Sequence, residues 1–165
     1  MPVKVRDENR IPRLLKELDN LGKRKIRVGI MGGDMAMIGR VHEFGARIPV
    51  TPKMRKWFAA QGYPLRKETT HIVIPERSFI RGGFDASEKK FLEEAKKHLL
   101  EAFRKGVSTD TVLDALGLQL QGMMQEYLRD LDQPPLSRMT VEMTGRSNPL
   151  VNAGKLLEAI VYEVV

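Results

Sequence analysis

The chain contains no cysteine, which removes disulfide frameworks, cysteine-based zinc sites, iron–sulfur clusters and thiol nucleophiles together. That absence agrees with a reducing compartment. Aromatic residues reach only 6%, so few rings are available for a base-stacking surface. No apolar run approaches the roughly 18 residues that a membrane-spanning helix needs, and the opening MPVKVRDENR has no signal-peptide core. A chain made in the cytoplasm, with no membrane partner, is the expectation. Internal repeats and low-complexity linkers are also lacking, so residues 1–165 are expected to form a single domain.

What is present is ordinary globular material: 165 residues, 42% hydrophobic and 30% charged. A chain of this length can bury roughly two thirds of its unfolded surface without staples. The net charge of +7 is unevenly placed. Residues 1–67 hold 16 basic against 6 acidic side chains, +10, and residues 68–165 hold 12 against 15, −3. Such a polarity fits a nucleic-acid surface, or two faces of a subunit that meets unlike neighbours.

Periodicity organises the chain. Ile11, Leu14, Leu15, Leu18 and Leu21 recur at helical spacing, with Pro12 in the first turn and Gly22 as an expected cap, so residues 1–24 hold an N-terminal amphipathic helix. Ile26, Val28 and Ile30 alternate as a strand at about 25–31, ending at the turn-forming Gly32-Gly33-Asp34. Ala36, Met37, Val41 and Phe44 can share a helical face that Gly45 ends. Residues 46–84 read as a loop or arm region, with a helical turn around Trp57 and Phe58, then a strand and a kinked edge at Pro75.

Two helices follow. Asp85 and Glu88 are spaced as a capping-box variant ahead of a stripe of Phe91, Leu92, Ala95, Leu99, Ala102 and Phe103 that Gly106 ends. Val112, Leu116, Leu120, Met123, Tyr127 and Leu131 mark a second helix that Pro134-Pro135 stops. An irregular polar stretch, a helical turn near residues 154–158 and a strand with Ile160, Tyr162 and Val164 complete the chain. Strands first and last with helices between them predict an α+β fold: a small antiparallel or mixed sheet covered by two long helices, with an extended loop or arm.

Reactive constellations are incomplete. His42-Glu43 begins like a zinc-protease motif, but position 46 is Ala, and His71 and His98 lie in other elements, so no metal site is expected. The Gly29 to Gly33 turn lacks both the dinucleotide and the phosphate-loop patterns. The pair Glu93-Glu94 and the acids Asp110, Asp114, Asp130 and Asp132 read as solvated helix faces. No catalytic set announces itself, so neither an enzyme nor a cofactor is expected. Lys23, Arg24, Lys25 and Arg27, with Lys53, Arg55 and Lys56 beside Trp57 and Phe58, are candidate contacts for DNA or an acidic partner. Trp57 and Phe58 fit a core or a protein interface equally well.

In order, the chain carries Val41-His42-Glu43-Phe44-Gly45; Ile74-Pro75-Glu76-Arg77-Ser78-Phe79-Ile80-Arg81; Pro134-Pro135-Leu136-Ser137 with Thr140; and Asn148-Pro149-Leu150-Val151-Asn152-Ala153-Gly154-Lys155-Leu156-Leu157 with Ile160 to Val164. This succession, over residues 26–164, resembles the virion morphogenesis family of phage and prophage proteins: the neck, tail-completion and minor tail proteins of long-tailed bacteriophages. The family pattern runs hEFG, IPxRxFlR, a long helix pair, PPLs..T, then PLidTGxLxxSItyxV. Asn152-Ala153-Gly154 stands where the family has Asp-Thr-Gly, and Glu158-Ala159 where a Ser precedes the Ile.

The resemblance implies a structural subunit of the head–tail connection, made in the host cytoplasm and built into the virion. It would form a ring of its own copies beside connector and tail-tube or tail-terminator proteins, close to packaged DNA. A minor tail or tail-terminator protein is the nearest variant, and a basic nucleic-acid-binding module is the competing class. Interface candidates are Phe44, Phe79, Arg77 and Arg81, with Trp57 and Phe58. The two phenylalanines are apolar anchors, and the two arginines could leave one side of an extended arm to pair with a neighbour's carboxylates.

Overall fold

A computed structural model describes residues 9–145, 150 and 154–165 of the chain. Its order is α1 (Ile11–Lys23), β1 (Ile26–Gly29), α2 (Gly33–Phe44), β2 (Ala46–Pro49), α3 (Pro52–Ala60), β3 (His71–Ile74), α4 (Arg81–Lys105), α5 (Thr109–Asp130), α6 (Arg138–Thr144), α7 (Lys155–Glu158) and β4 (Val161–Val164). The class is α+β, and the strands form two antiparallel two-stranded ladders, β1 with β4 and β2 with β3. The expected pieces at 1–8, and Asn148, Pro149, Val151, Asn152 and Ala153 of the last motif, lie outside the described residues.

The chain divides into two compact units, and α4 and α5 each contribute to both. The first unit holds the residues up to Val28, Glu88–Leu120 and Tyr162–Val165. Its core is Phe91, Ala95, Ala102, Val112, Leu113, Leu116 and Leu120, one stripe from each long helix. Lys25 and Val165 exchange both backbone hydrogen bonds, at 2.7 and 2.9 Å, which closes the β1–β4 ladder. Arg27 reaches Glu163 across it at 3.2 Å, and the Tyr162 hydroxyl donates to Asp114 at 2.8 Å. Gly22 caps nothing, because α1 runs through it to Lys23.

The second unit holds Gly29–Ser87 and Gln121–Val161. Among the described residues, its buried apolar side chains are Phe58, Phe79, Met124, Leu128, Leu150, Leu156 and Ile160. Ala46 pairs with Ile74 and Pro49 with His71 in the β2–β3 ladder. Thr51 caps α3, accepting from the Met54 amide at 3.2 Å, and Ser137 caps α6 through the Thr140 amide, also at 3.2 Å. The Gln125 amide donates to the carbonyls of Leu157 and Ile160, which ties α5 to the end of α7.

Several expectations are corrected at this level. Residues 46–84 are not an arm: they hold β2, α3 and β3, and the stretch from Pro75 to Ile80 is drawn inward by Arg77 and Phe79, both buried. On α2 the buried positions are Gly39 and Glu43, while Met37 and Phe44 face solvent. On α5 the buried face runs through Met124 and Leu128, one residue on from Met123 and Tyr127. The polar stretch after Pro135 contains α6.

Candidate functional site

The sequence motifs converge at the start of α4. That helix has no acidic residue in its first turn, Arg81-Gly82-Gly83-Phe84, and Asp85 and Glu88 lie within it rather than before it. The first amides of a helix need an acceptor and its positive end favours an anion. Glu43, in the last turn of α2, provides both. Its carboxylate, 6% exposed, accepts from the amides of Ile80 at 2.9 Å and Arg81 at 3.0 Å, and from the Ser78 hydroxyl at 2.9 Å. Arg81 Nε also donates to it at 3.0 Å.

Burial alone would raise the Glu43 carboxyl, but the Ile80 and Arg81 amides, with the Ser78 and Arg81 side chains, outweigh it and hold it below the usual carboxylate range. Arg81 in turn donates to the Glu43 carbonyl at 3.0 Å and to Glu76 at 2.7 Å. The hydrogen bond to Glu43 and the charge of Glu76 hold its proton more tightly than usual. Its guanidinium lies 4.6 Å over the Phe44 ring, a cation–π contact.

Backbone geometry fixes how the pieces meet. Gly45 ends α2 at φ +69°, and a Cβ there would stand 2.9 Å from the Ile74 carbonyl oxygen and 3.0 Å from the Glu76 amide nitrogen. Only glycine tolerates both the conformation and the approach. Gly83 likewise lets the first turn of α4 close onto Met124 and Tyr127 of α5, where a Cβ would fall 3.1 to 3.3 Å from their side chains.

Arg77 belongs to the same node. Its amide donates to the His42 carbonyl at 2.7 Å, Nε to the Pro134 carbonyl at 2.8 Å and Nη2 to the Pro135 carbonyl at 3.0 Å. The guanidinium is buried, and burial lowers its affinity for the proton. His42 is half-buried and its Nδ1 has no partner. Burial and the charge of Arg77 keep it below its ordinary value. Beside the node, Ala36, Gly39, Arg40, Phe44, Phe79 and Arg81 line a depression of about 270 Å³.

The candidate interface residues therefore separate into two groups. Phe79 is 1% exposed and Arg77 and Phe58 are buried, so all three build the unit rather than present a surface. Arg77 and Arg81 do not share one side of an arm: the first turns to the proline carbonyls, the second to Glu43. Phe44 and Trp57 are exposed, Arg81 is half-exposed, and Trp57 packs edge-on against Phe58 with ring centroids 4.9 Å apart.

The basic candidates also divide. Arg24 pairs with Asp110 at 3.3 Å, Lys23 with Asp19 at 2.6 Å and Arg27 with Glu163. Arg55 donates to the carbonyls of Arg66, Lys67 and Thr69, which holds the loop after α3. Lys25, Lys53 and Lys56 are exposed.

In the sequence Glu43 stands inside a short motif, and nothing beside it marks it as the cap of a distant helix. The available signal was a long helix that opens on Arg-Gly-Gly without a capping residue of its own. Among the described residues, no group of three or more His, Asp or Glu is placed to hold a metal ion, and no helix is long and apolar enough to cross a membrane. Comparison with family models, curated proteins and solved structures finds no match to the chain.

Proposed function

We propose that this protein is a structural subunit of the head–tail connection of a long-tailed phage, a tail-completion or neck protein that joins tail to head as a ring of its own copies. The observation that carries the reading is the way three of the four motif stretches hold one another. Glu43 of the first accepts from Ser78, Ile80 and Arg81 of the second, and Arg77 of the second donates to Pro134 and Pro135 of the third. Four short matches along a sequence could arise separately, whereas stretches that interlock act as one scaffold.

The fourth stretch supports the same reading. Leu150, Leu156 and Ile160 are buried in the unit that holds the other three. A minor tail or tail-terminator position is the nearest variant, because the same scaffold can stand at either end of a tail. The nucleic-acid reading loses support where Arg24, Arg27 and Arg55 are spent on the chain's own acids and carbonyls. Gold-labelled antibody against the protein tests the proposal on intact particles. Label at the junction of head and tail is expected, and label elsewhere, or none on the particle, overturns it.

A further inference from the structure

Between Glu43 and Glu68 the chain carries Arg47, Lys53, Arg55, Lys56, Arg66 and Lys67 and not one acid. These cations have different fates. Arg55 turns inward and donates to the carbonyls of Arg66 at 3.0 Å, Lys67 at 3.3 Å and Thr69 at 2.5 Å. It thereby holds the loop after α3 against that helix, and the loop carries the Arg66 and Lys67 side chains outward, both exposed. On α3 itself, Lys53, Lys56 and Trp57 stand three and four residues apart and share the face turned away from buried Phe58. Lys56 joins the two sets, because it follows Arg55 in the helix and neighbours Lys53 and Trp57 on its surface.

Among the described residues, Lys53, Lys56, Arg66 and Lys67 have no acidic partner, whereas Lys23, Arg24 and Arg27 each have one. The carboxylate that reaches this loop, Glu142, is already occupied by the Tyr63 hydroxyl at 2.7 Å and Arg138 at 2.6 Å. Unpaired cations gathered on one surface attract a polyanion, and the ring among them decides its kind. Trp57 packs edge-on with Phe58 yet stays 50% exposed. The face of an indole is electronegative and gains nothing from a carboxylate, but it stacks on a nucleobase. Inside a duplex that base face is covered, so the ring asks for an unpaired base. Lysine, arginine and the indole N–H are donors only, so none of these side chains accepts from a ribose hydroxyl.

We propose that Lys53, Lys56, Arg66 and Lys67, with Trp57 among them, bind single-stranded nucleic acid: the cations hold phosphates, the indole stacks on one base, and the sugar is not read. Arg55 positions the loop and does not touch the strand. The inference adds a ligand to the second unit and does not rest on the head–tail role proposed above.

Trp57 is the only tryptophan, so its fluorescence reports the site directly. Titrating the full chain with an oligothymidylate of about 12 nucleotides should quench the indole emission to saturation. Raising salt from about 50 to 200 mM should weaken binding with a log–log slope of about −3, four phosphates at roughly 0.7 each. Lys56→Ala with Arg66→Ala should halve that slope and weaken binding about tenfold or more at the lower salt. Lys96→Ala with Lys97→Ala removes the same charge from exposed positions of α4 and should change neither. Trp57→Ala, followed by the anisotropy of a labelled strand, should bind about tenfold more weakly at an unchanged slope. Every substituted side chain is exposed, so the variants should fold, with circular dichroism as the check. Oligouridylate should bind as oligothymidylate does. No binding at the lower salt, binding that leaves the indole emission unchanged, or an equal loss in the Lys96 and Lys97 variant overturns the site. Tighter binding of a duplex, or about a tenfold preference for either sugar, overturns the assigned ligand. Displacement of the strand by polyglutamate of equal charge overturns it in favour of an acidic protein. The head–tail role is decided separately, by whether heads and tails join in the protein's absence.

Discussion

Glu43 caps a helix to which it does not belong: its carboxylate accepts the amide and the Nε of Arg81, 38 residues away, and so joins the end of α2 to the start of α4. Replacing Glu43 with Ala strands the Ser78 hydroxyl and the Ile80 and Arg81 amides, all part-buried, and leaves Arg81 without its main partner. A loss of about 2–4 kcal/mol is expected, read as a lower urea midpoint with the slope unchanged.

Acid should weaken the fold in two separate windows. Glu43 and His42 both titrate lower in the folded chain than in the unfolded one, so the unfolded chain binds protons first as the pH falls. Stability should decline below about 6.5 as unfolded His42 protonates, and again below about 4.3 as unfolded Glu43 does. Urea midpoints measured across pH give the profile. His42→Phe should flatten the upper window and Glu43→Gln should reduce the lower one, where Glu17, also held low by Thr109, continues to contribute.

Two glycine substitutions should act in opposite directions. Gly45→Ala forces a side chain into a left-handed position against the Ile74 carbonyl and should cost about 1–3 kcal/mol or more. Gly122 lies within α5 with open space where a Cβ would go, so Gly122→Ala should stabilise by about 0.5–1 kcal/mol. Thermal melts of the two proteins compared with wild type check both signs.

Phe79 and Phe44 occupy equivalent-looking places in their motifs and should respond differently. Phe79→Ala opens a cavity in the second unit and should cost about 3–5 kcal/mol. Phe44→Ala removes an exposed ring and its contact with Arg81, a change of about 0.5–1 kcal/mol. A defect in particle assembly caused by Phe44→Ala would thus report on a surface, whereas one caused by Phe79→Ala would report on folding.

What could be read in advance follows from how local each signal is. The amphipathic periods of α4 and α5, Pro12 in the first turn of α1 and Gly45 at the end of α2 are local, and the elements stand where those residues put them. The start of α4 was not legible, because its cap comes from another helix and the nearer Asp85 and Glu88 mimic one. On α5, Met123 and Met124 sit on adjacent stripes, both apolar, and only tertiary packing, which buries Met124 and Leu128, selects the second. The stretch around Phe79 reads as an arm in sequence for a related reason: nothing between Pro75 and Ile80 announces that Arg77 finds two carbonyls more than fifty residues later.

The most direct measurement of the proposed role is electron microscopy of the particles formed after the gene is deleted from the genome that carries it. The proposed role predicts filled heads and separate tails that join when the wild-type protein is supplied. Normal, infectious particles in its absence would contradict it.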